Sequence, residues 1–226
     1  MSLPDGRARA AIFDLDGTLL DTLEDIAAAM DHALQQHGLA PHTLDEYRQF
    51  IGQGVRNLTR LAVGASGGAG ELEAEVYAAY RRRYEERMVV ATRPYPGVVE
   101  LLQALKAEGI PAAVLSNKPD DATSALVERF FPGLFTVARG ERPTAPRKPD
   151  PASALEVARG LDAAPGDCLF AGDSKVDMET ATRAEMFAVG VLWGYRSRDE
   201  LEANGARALV DSPAEILRLC QGGTHG

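Results

Sequence analysis

Cysteine is nearly absent: Cys168 and Cys220 are the only two in 226 residues. Two thiols form neither a disulfide framework nor a zinc set. Cys168 sits in the apolar run Cys168-Leu169-Phe170-Ala171, which predicts a buried free thiol and fits a reducing cytoplasm. Positive charge is also in deficit, with 24 Lys+Arg against 33 Asp+Glu and a net charge of −9. A phosphate backbone needs a basic face, so nucleic acid is not an expected partner. A small phosphorylated ligand is not excluded, because a few placed cations or one metal ion reverse the field of a site. No run of about 18 apolar residues occurs, so no transmembrane helix is expected. Met1 to Ala10 has no apolar signal core, so cytoplasmic localisation without membrane contact is expected. Internal repeats are missing, and only Gly222 to Gly226 reads as a candidate for disorder.

What is present is ordinary for a globular protein: 45% hydrophobic and 25% charged residues. The length fits one large domain, or one domain with an insertion, able to bury a core without staples. Ala10 to Phe13 is a short apolar run that stops abruptly at Asp14-Leu15-Asp16-Gly17-Thr18. Pro111 to Leu115, ending in Ser116-Asn117, repeats that shape, as does Cys168 to Ala171, ending in Gly172-Asp173-Ser174. Phe187 to Trp193 and Ala208 to Val210 are further candidate strands. Helical patterns lie between, at Gly97–Glu108, Asp121–Arg129, Pro151–Arg159, Val176–Ala184 and Pro213–Cys220. Short buried strands alternating with amphipathic helices predict an α/β fold with a doubly wound parallel sheet. Ligands in such sheets bind at the carboxyl ends of the strands, where the polar residues fall.

Residues 20 to 95 break the rhythm. Their patterns are all helical, at Glu24–His37, Thr43–Gln49, Val55–Val63 and Ala69–Met88. A small helical domain at 21–94 is therefore expected, inserted after the first strand of a core formed by 1–20 and 95–226. Arg139 to Pro149, with prolines at 143, 146 and 149, reads as a loop.

The chemistry gathers at the strand ends. Asp14 and Asp16, two apart on an extended strand end, share a face and repel unless a cation lies between them; an Asp-Gly turn is the bland alternative. Ser116 and Asn117 can donate to an anion, or simply cap a helix. Lys148 lies between Arg147 and Pro149, whose ring fixes the local path, though a lone loop lysine is usually solvated. Asp173 follows a strand, and Asp177 falls in the first turns of the next helix, where Ser174 could be a cap. Taken together, three strand ends and one loop bring carboxylates, a hydroxyl, an amide and a lysine to one crevice. Oxygen ligands without His or Cys favour magnesium. A carboxylate nucleophile beside a metal, a lysine and hydrogen-bond donors suits phosphoryl transfer through an aspartyl-phosphate.

These residues resemble the haloacid dehalogenase superfamily. The first motif matches at Asp14-Leu15-Asp16-Gly17-Thr18-Leu19-Leu20-Asp21-Thr22, the second at Leu115-Ser116-Asn117-Lys118, the third at Lys148-Pro149-Asp150-Pro151, and the fourth at Gly172-Asp173-Ser174 with Asp177. The resemblance implies a Rossmann-like core with a small helical cap. It makes Asp14 the phosphorylated nucleophile and Asp16 the acid/base, with Thr18 bonded to Asp16. Ser116 and the Asn117 backbone would bind the transferring phosphoryl group, and Lys148 would orient Asp14. Magnesium would be held by Asp14, the Asp16 carbonyl and Asp173, with Asp177 supporting the metal or Lys148. Ile51 to Arg56 lies where relatives place a substrate-contacting loop, which makes Gly54 and Arg56 candidates for the substrate's distal anion; an exposed Arg on a helix's first turn is the competing reading. Within the superfamily the chain resembles the phosphoglycolate phosphatases, through the cap type, Val191 to Arg196 and Gly205 to Pro213. Glu185 departs from the pattern, standing where relatives have a helix-ending glycine.

The resulting expectation is a magnesium-dependent phosphatase, monomeric or homodimeric, acting on a small phosphorylated metabolite such as 2-phosphoglycolate. A sugar-phosphate mutase or pyrophosphatase on the same fold stays open. So do a phospho-acceptor signalling domain and a non-enzymatic phospholigand binder.

Overall fold

The computed structural model describes Leu3 and residues 7 to 222; of the candidate disordered tail, all but Gly222 lies outside them. In chain order the elements are β1 (Ala10–Phe13), β2 (Leu20–Asp21), α1 (Leu23–Gln36), α2 (Leu44–Phe50), α3 (Val55–Ala65), α4 (Glu73–Arg87) and β3 (Arg93–Pro94). There follow α5 (Val98–Ala107), β4 (Ala112–Pro119), α6 (Asp120–Phe130), β5 (Val137–Glu141), α7 (Ala152–Gly160) and β6 (Cys168–Gly172). The chain ends with α8 (Lys175–Arg183), β7 (Phe187–Val191), α9 (Arg198–Ala203), β8 (Ala208–Val210) and α10 (Pro213–Cys220). It divides into two compact units, Met1–Leu20 with Pro94–Gly226, and Asp21–Arg93.

The first unit is an α/β core. Its six strands are ordered β5-β4-β1-β6-β7-β8, and every pairing is parallel. Strands buried on both faces read as continuous apolar runs, and β1 and β6 are buried along their whole length. After β1 the chain builds outward through β4 and β5, then crosses to β6, β7 and β8. That reversal beside β1 is the switch point at which an α/β sheet opens a crevice. Register aligns three strand ends there, because Phe13 pairs with Val114 on one side and Ala171 on the other. The apolar layer beneath includes Ile12, Leu115, Phe170 and Met178, each worth roughly 1.5–3 kcal/mol on full burial. Both cysteines are free and buried, and burial pushes both thiols up to about 12.

The second unit is helical, α1 to α4. Thr43 and Glu46 close the N-terminus of α2 as a reciprocal capping box. Buried Asp25 of α1 accepts the backbone N–H groups of Val90, Ala91 and Thr92 at 2.8–3.0 Å. Among the described residues, no helix is long and apolar enough to cross a membrane.

Several expectations need correction. The pattern over 69–88 resolves into a 3-10 turn at Gly70–Leu72 and then α4. Residues 139–141 belong to β5 rather than to a loop; β5 lies at the sheet edge and is only partly buried, so it has no apolar run to signal it. β7 stops at Val191, and α9 was not foreseen.

Glu185 ends α8 in the left-handed region, at φ 59. The N–H of Met186 returns to the Ala181 carbonyl at 2.8 Å, the bond of a Schellman ending, which favours glycine at the preceding position. A side chain there costs roughly 1 kcal/mol. Glu185→Gly should therefore raise the melting temperature by about 2–4 °C, measured by circular dichroism; an unchanged or lower value would show that the Glu185 backbone is unstrained.

Candidate active site

Asp14 follows β1 directly, and its N–H donates to the Ala171 carbonyl at 2.9 Å. Its Oδ1 accepts the Leu15 N–H at 2.7 Å and lies 2.9 Å from Lys148 Nζ. Both partners fall on Oδ1, so Oδ2 has no protein donor among the described residues.

Lys148 is the hub. Its side chain is 1% exposed. The three N–H donors of an ammonium find three acceptors: Asp14 Oδ1, Asp177 Oδ1 at 2.7 Å and the Leu115 carbonyl at 2.9 Å. The Phe170 ring lies 5.8 Å away. Asn117 locks the backbone of this loop, accepting the Lys148 N–H at 2.9 Å and donating to the Lys148 carbonyl at 3.0 Å. The Asn117 amide is therefore engaged with the chain, whereas the sequence offered it as a donor to an anion. Ser116 Oγ accepts the Lys118 N–H at 3.2 Å, while its own O–H meets no acceptor among the described residues.

Asp177 serves two purposes. Oδ2 takes the Ser174 hydroxyl at 2.6 Å and the Ser174 N–H at 3.1 Å, closing the start of α8, while Oδ1 holds Lys148. The segment thus caps α8 and holds Lys148 with the same carboxylate. Gly172 makes this possible, because a Cβ there would collide with the Asp177 side chain.

Asp173 Oδ2 accepts the Tyr195 N–H at 2.7 Å, and Oδ1 accepts the Thr18 hydroxyl at 3.3 Å. The Thr18 hydroxyl thus goes to Asp173, not to Asp16 as the resemblance implied. Trp193 Nε1 donates to the Thr18 carbonyl at 3.0 Å. A Cβ on Gly17 or Gly194 would strike Asp173, so two glycines form the cradle of this carboxylate.

The Asp16 carboxylate and Asp14 face different lysines. Asp16 has its own ammonium, with Lys118 Nζ 2.8 Å from both carboxylate oxygens. Lys118 was part of the second motif but was not singled out, because a lysine followed by proline after a strand carries no signal of burial. Trp193 and Tyr195 entered only within the resembling segment Val191 to Arg196, with no role read for them, since they act through one ring N–H and one backbone N–H. Gly54 and Arg56 belong to the helical unit. Gly54 precedes α3 with φ 82, and the exposed Arg56 guanidinium lies 4.7 Å over the Tyr77 ring.

Ligand oxygens of Asp14, Asp173 and Asp177 lie within 4.8 Å of one another, all three residues buried. One lysine cannot offset three buried carboxylates. Burial, with repulsion from Asp177, pushes the Asp14 carboxyl up to about 7 although Lys148 pulls it down. Burial, then Asp177 and Asp14, pushes Asp173 up to about 8. Burial works against the charge on Lys148, yet Asp14 and Asp177 outweigh it and hold the ammonium above its ordinary value. The site is short of positive charge, and its donor set is all oxygen. It fits a hard divalent cation.

A family model described as haloacid dehalogenase-like hydrolase matches residues 11–191. The chain is 34% identical over 212 residues to the phosphoglycolate phosphatase of Aquifex aeolicus, covering 93% of this chain and 96% of the relative. It is 32% identical over 213 residues to the N-acetylmuramic acid 6-phosphate phosphatase of Pseudomonas aeruginosa, covering 93% and 94%. The crystal structure of a provisionally assigned phosphoglycolate phosphatase from Lactobacillus delbrueckii superposes with a TM-score of 0.90 at 31% identity, covering 95% of this chain and 98% of that one.

Folded Asp14 and Asp173 keep protons that the unfolded chain releases near 3.8. Linkage then makes cation-free stability fall as pH rises from there through about 7 and 8. A cation that needs ionised carboxylates binds more tightly over the same rise. The increase in melting temperature on adding a millimolar divalent cation should therefore be larger at about pH 8 than at about pH 6. An increase that shrinks with pH would contradict this charge balance.

Proposed function

We infer the chemistry of this chain from one premise: it belongs to the haloacid dehalogenase-like hydrolase family. It is a phosphatase, a phosphoric monoester hydrolase. Its substrate is a small phosphomonoester, 2-phosphoglycolate, cleaved through an aspartyl-phosphate on Asp14 with magnesium as the cation. The observation that carries the reaction is the Asp14 carboxylate, with one oxygen held by Lys148 and Leu15 and the other without a protein donor.

Asp14 Oδ2 attacks phosphorus, and the bond from phosphorus to the leaving oxygen breaks. The departing alkoxide takes a proton from Asp16. Water then attacks the aspartyl-phosphate and gives a proton back to Asp16; inorganic phosphate leaves and Asp14 is restored. The Ser116 hydroxyl and the Lys148 ammonium offset charge on the transferring oxygens. The bound cation would be held by Asp14 and Asp173, with the Asp16 carbonyl, and Asp177 would keep Lys148 in place. It supplies Lewis-acid stabilisation of the phosphoryl charge. The helical unit is assigned the role of a cap that selects substrate, with Gly54 and Arg56 as its candidate contacts. Several relatives named phosphoglycolate phosphatase support the substrate choice, and the N-acetylmuramic acid 6-phosphate relative supplies its competitor.

Two measurements test this reading. Asp14→Asn should lower phosphate release from a generic aryl phosphate by at least about 10³-fold, with the fold intact by circular dichroism; undiminished turnover would sink the aspartyl-phosphate. On a panel of esters with magnesium present, 2-phosphoglycolate should give the highest kcat/KM. A higher value for N-acetylmuramic acid 6-phosphate or glucose 6-phosphate would overturn the substrate and leave the reaction standing.

A further inference from the structure

Basic residues number 24, yet only four are lysines: Lys106, Lys118, Lys148 and Lys175. Lys106 and Lys175 are exposed. Lys118 and Lys148 are buried, each against a carboxylate of the first motif. Lys148 has a full set of acceptors and an evident task in holding Asp14. Lys118 has no part in the reaction as derived so far. Its side chain is 3% exposed, and it faces Asp16, whose side chain is 12% exposed.

Burying a lysine and a carboxylate together is expensive, and a wholly apolar pair at these two positions would avoid that cost. The ion pair therefore needs a reason. Asp16 stands where a leaving oxygen must arrive if it is to take a proton. Lys118 Nζ is 2.8 Å from both Asp16 oxygens, so any leaving group that reaches Asp16 also comes close to this ammonium. A second anionic group close to the leaving oxygen could be bonded by it. In a leaving group with a carboxylate on the adjacent carbon, that distance is about 3 Å by ordinary bond lengths. An ammonium is a compact point charge on a flexible stem, so it attracts a second carboxylate beside Asp16 without the fixed fork geometry of a guanidinium.

The backbone of Lys118 is fixed on both sides. Its N–H donates to Ser116 Oγ at 3.2 Å, and its carbonyl accepts the Thr123 hydroxyl at 3.3 Å. Asp120, two residues on, accepts the Gly140 N–H at 2.8 Å. The same strand end thus presents the Ser116 hydroxyl, proposed for the phosphoryl group, and the Lys118 ammonium two residues later.

We propose that Lys118 is a specificity-determining residue that binds a carboxylate on the leaving group, selecting phosphomonoesters of small 2-hydroxy acids over neutral ones. This rests on the phosphatase reading above and deepens it, since it assigns to the core a selectivity that the resemblance gave to Arg56.

The test compares kcat/KM for 2-phosphoglycolate with that for ethyl phosphate, its neutral two-carbon counterpart, in the magnesium-loaded enzyme. In the wild type the ratio should be at least about 100, the order expected for one desolvated charge pair. In Lys118→Met it should fall about 100-fold, and glycolate should cease to inhibit hydrolysis of an aryl phosphate. A Lys118 that merely holds Asp16 would slow both substrates alike and keep the ratio, which would overturn the proposal. If Lys118→Met does not fold, the wild type decides through its ratio and through inhibition by glycolate against ethanol: a ratio near one, or equal inhibition, also overturns it. Wild-type enzyme inactive on every ester would bring down the phosphatase reading and this proposal together, whereas turnover without discrimination brings down this proposal alone.

Discussion

The core depends on a single ammonium placed between carboxylates. Lys148 fills all three of its hydrogen bonds, to Asp14, Asp177 and the Leu115 carbonyl. Through them it joins the end of β1, the middle of β4 and the start of α8. Replacing it by a neutral residue would leave buried carboxylates facing one another at the switch point of the sheet, a situation that costs several kcal/mol. Much of the surrounding architecture protects this contact. Asn117 clamps the Lys148 backbone with two bonds, and Asp177 is held at its second oxygen by Ser174. The sheet register delivers Asp14 to the lysine with little freedom, since residues 11 to 13 pair on both sides.

The balance around Lys148 is deliberately incomplete. Asp14, Asp173 and Asp177 surround one positive charge, so two of the carboxyls are pushed up to about 7 and 8 by burial and by each other. A structural ion-pair network would favour neutrality, because excess buried charge destabilises the fold. Here the deficit is kept, and glycines at 17, 172 and 194 let the backbone crowd the carboxylates further. Such an arrangement fits a cation site, since perturbed groups of this kind gather where function requires them.

The sequence made the candidate site legible because its apolar runs stop abruptly. A run that stops at Asp14, Ser116 or Asp173 marks both a strand and the polar residues that gather beside it, and the parallel α/β core followed from the alternation. What it concealed depended on tertiary context. β5 has the polar sequence Val-Ala-Arg-Gly-Glu, which an edge strand tolerates and a loop would share. The Asp14 and Asp16 pair looked like two carboxylates awaiting one cation, since nothing local shows that Lys118, about a hundred residues away in the chain, is buried against the second. Trp193 and Tyr195 contribute through an indole N–H and a backbone N–H, and backbone donors leave no trace in residue identity. Glu185 was legible as a departure, because the position demands a conformation that glycine adopts freely and glutamate does not.

The two lysines divide the labour of one motif. Asp14 shares its ammonium with Asp177 and stands among excess negative charge, so it is the carboxylate that a metal ion would complete. Asp16 has an ammonium bonded to both of its oxygens, and it lies outside the buried trio whose ligand oxygens converge. Two residues apart on one strand end, the same side chain is therefore placed in opposite charge environments. One carboxylate would gain from a divalent cation, and the other faces an ammonium of the protein itself. Reversing the lysines would exchange those environments, so the positions of Lys118 and Lys148, more than the Asp-x-Asp spacing itself, distinguish the two acids.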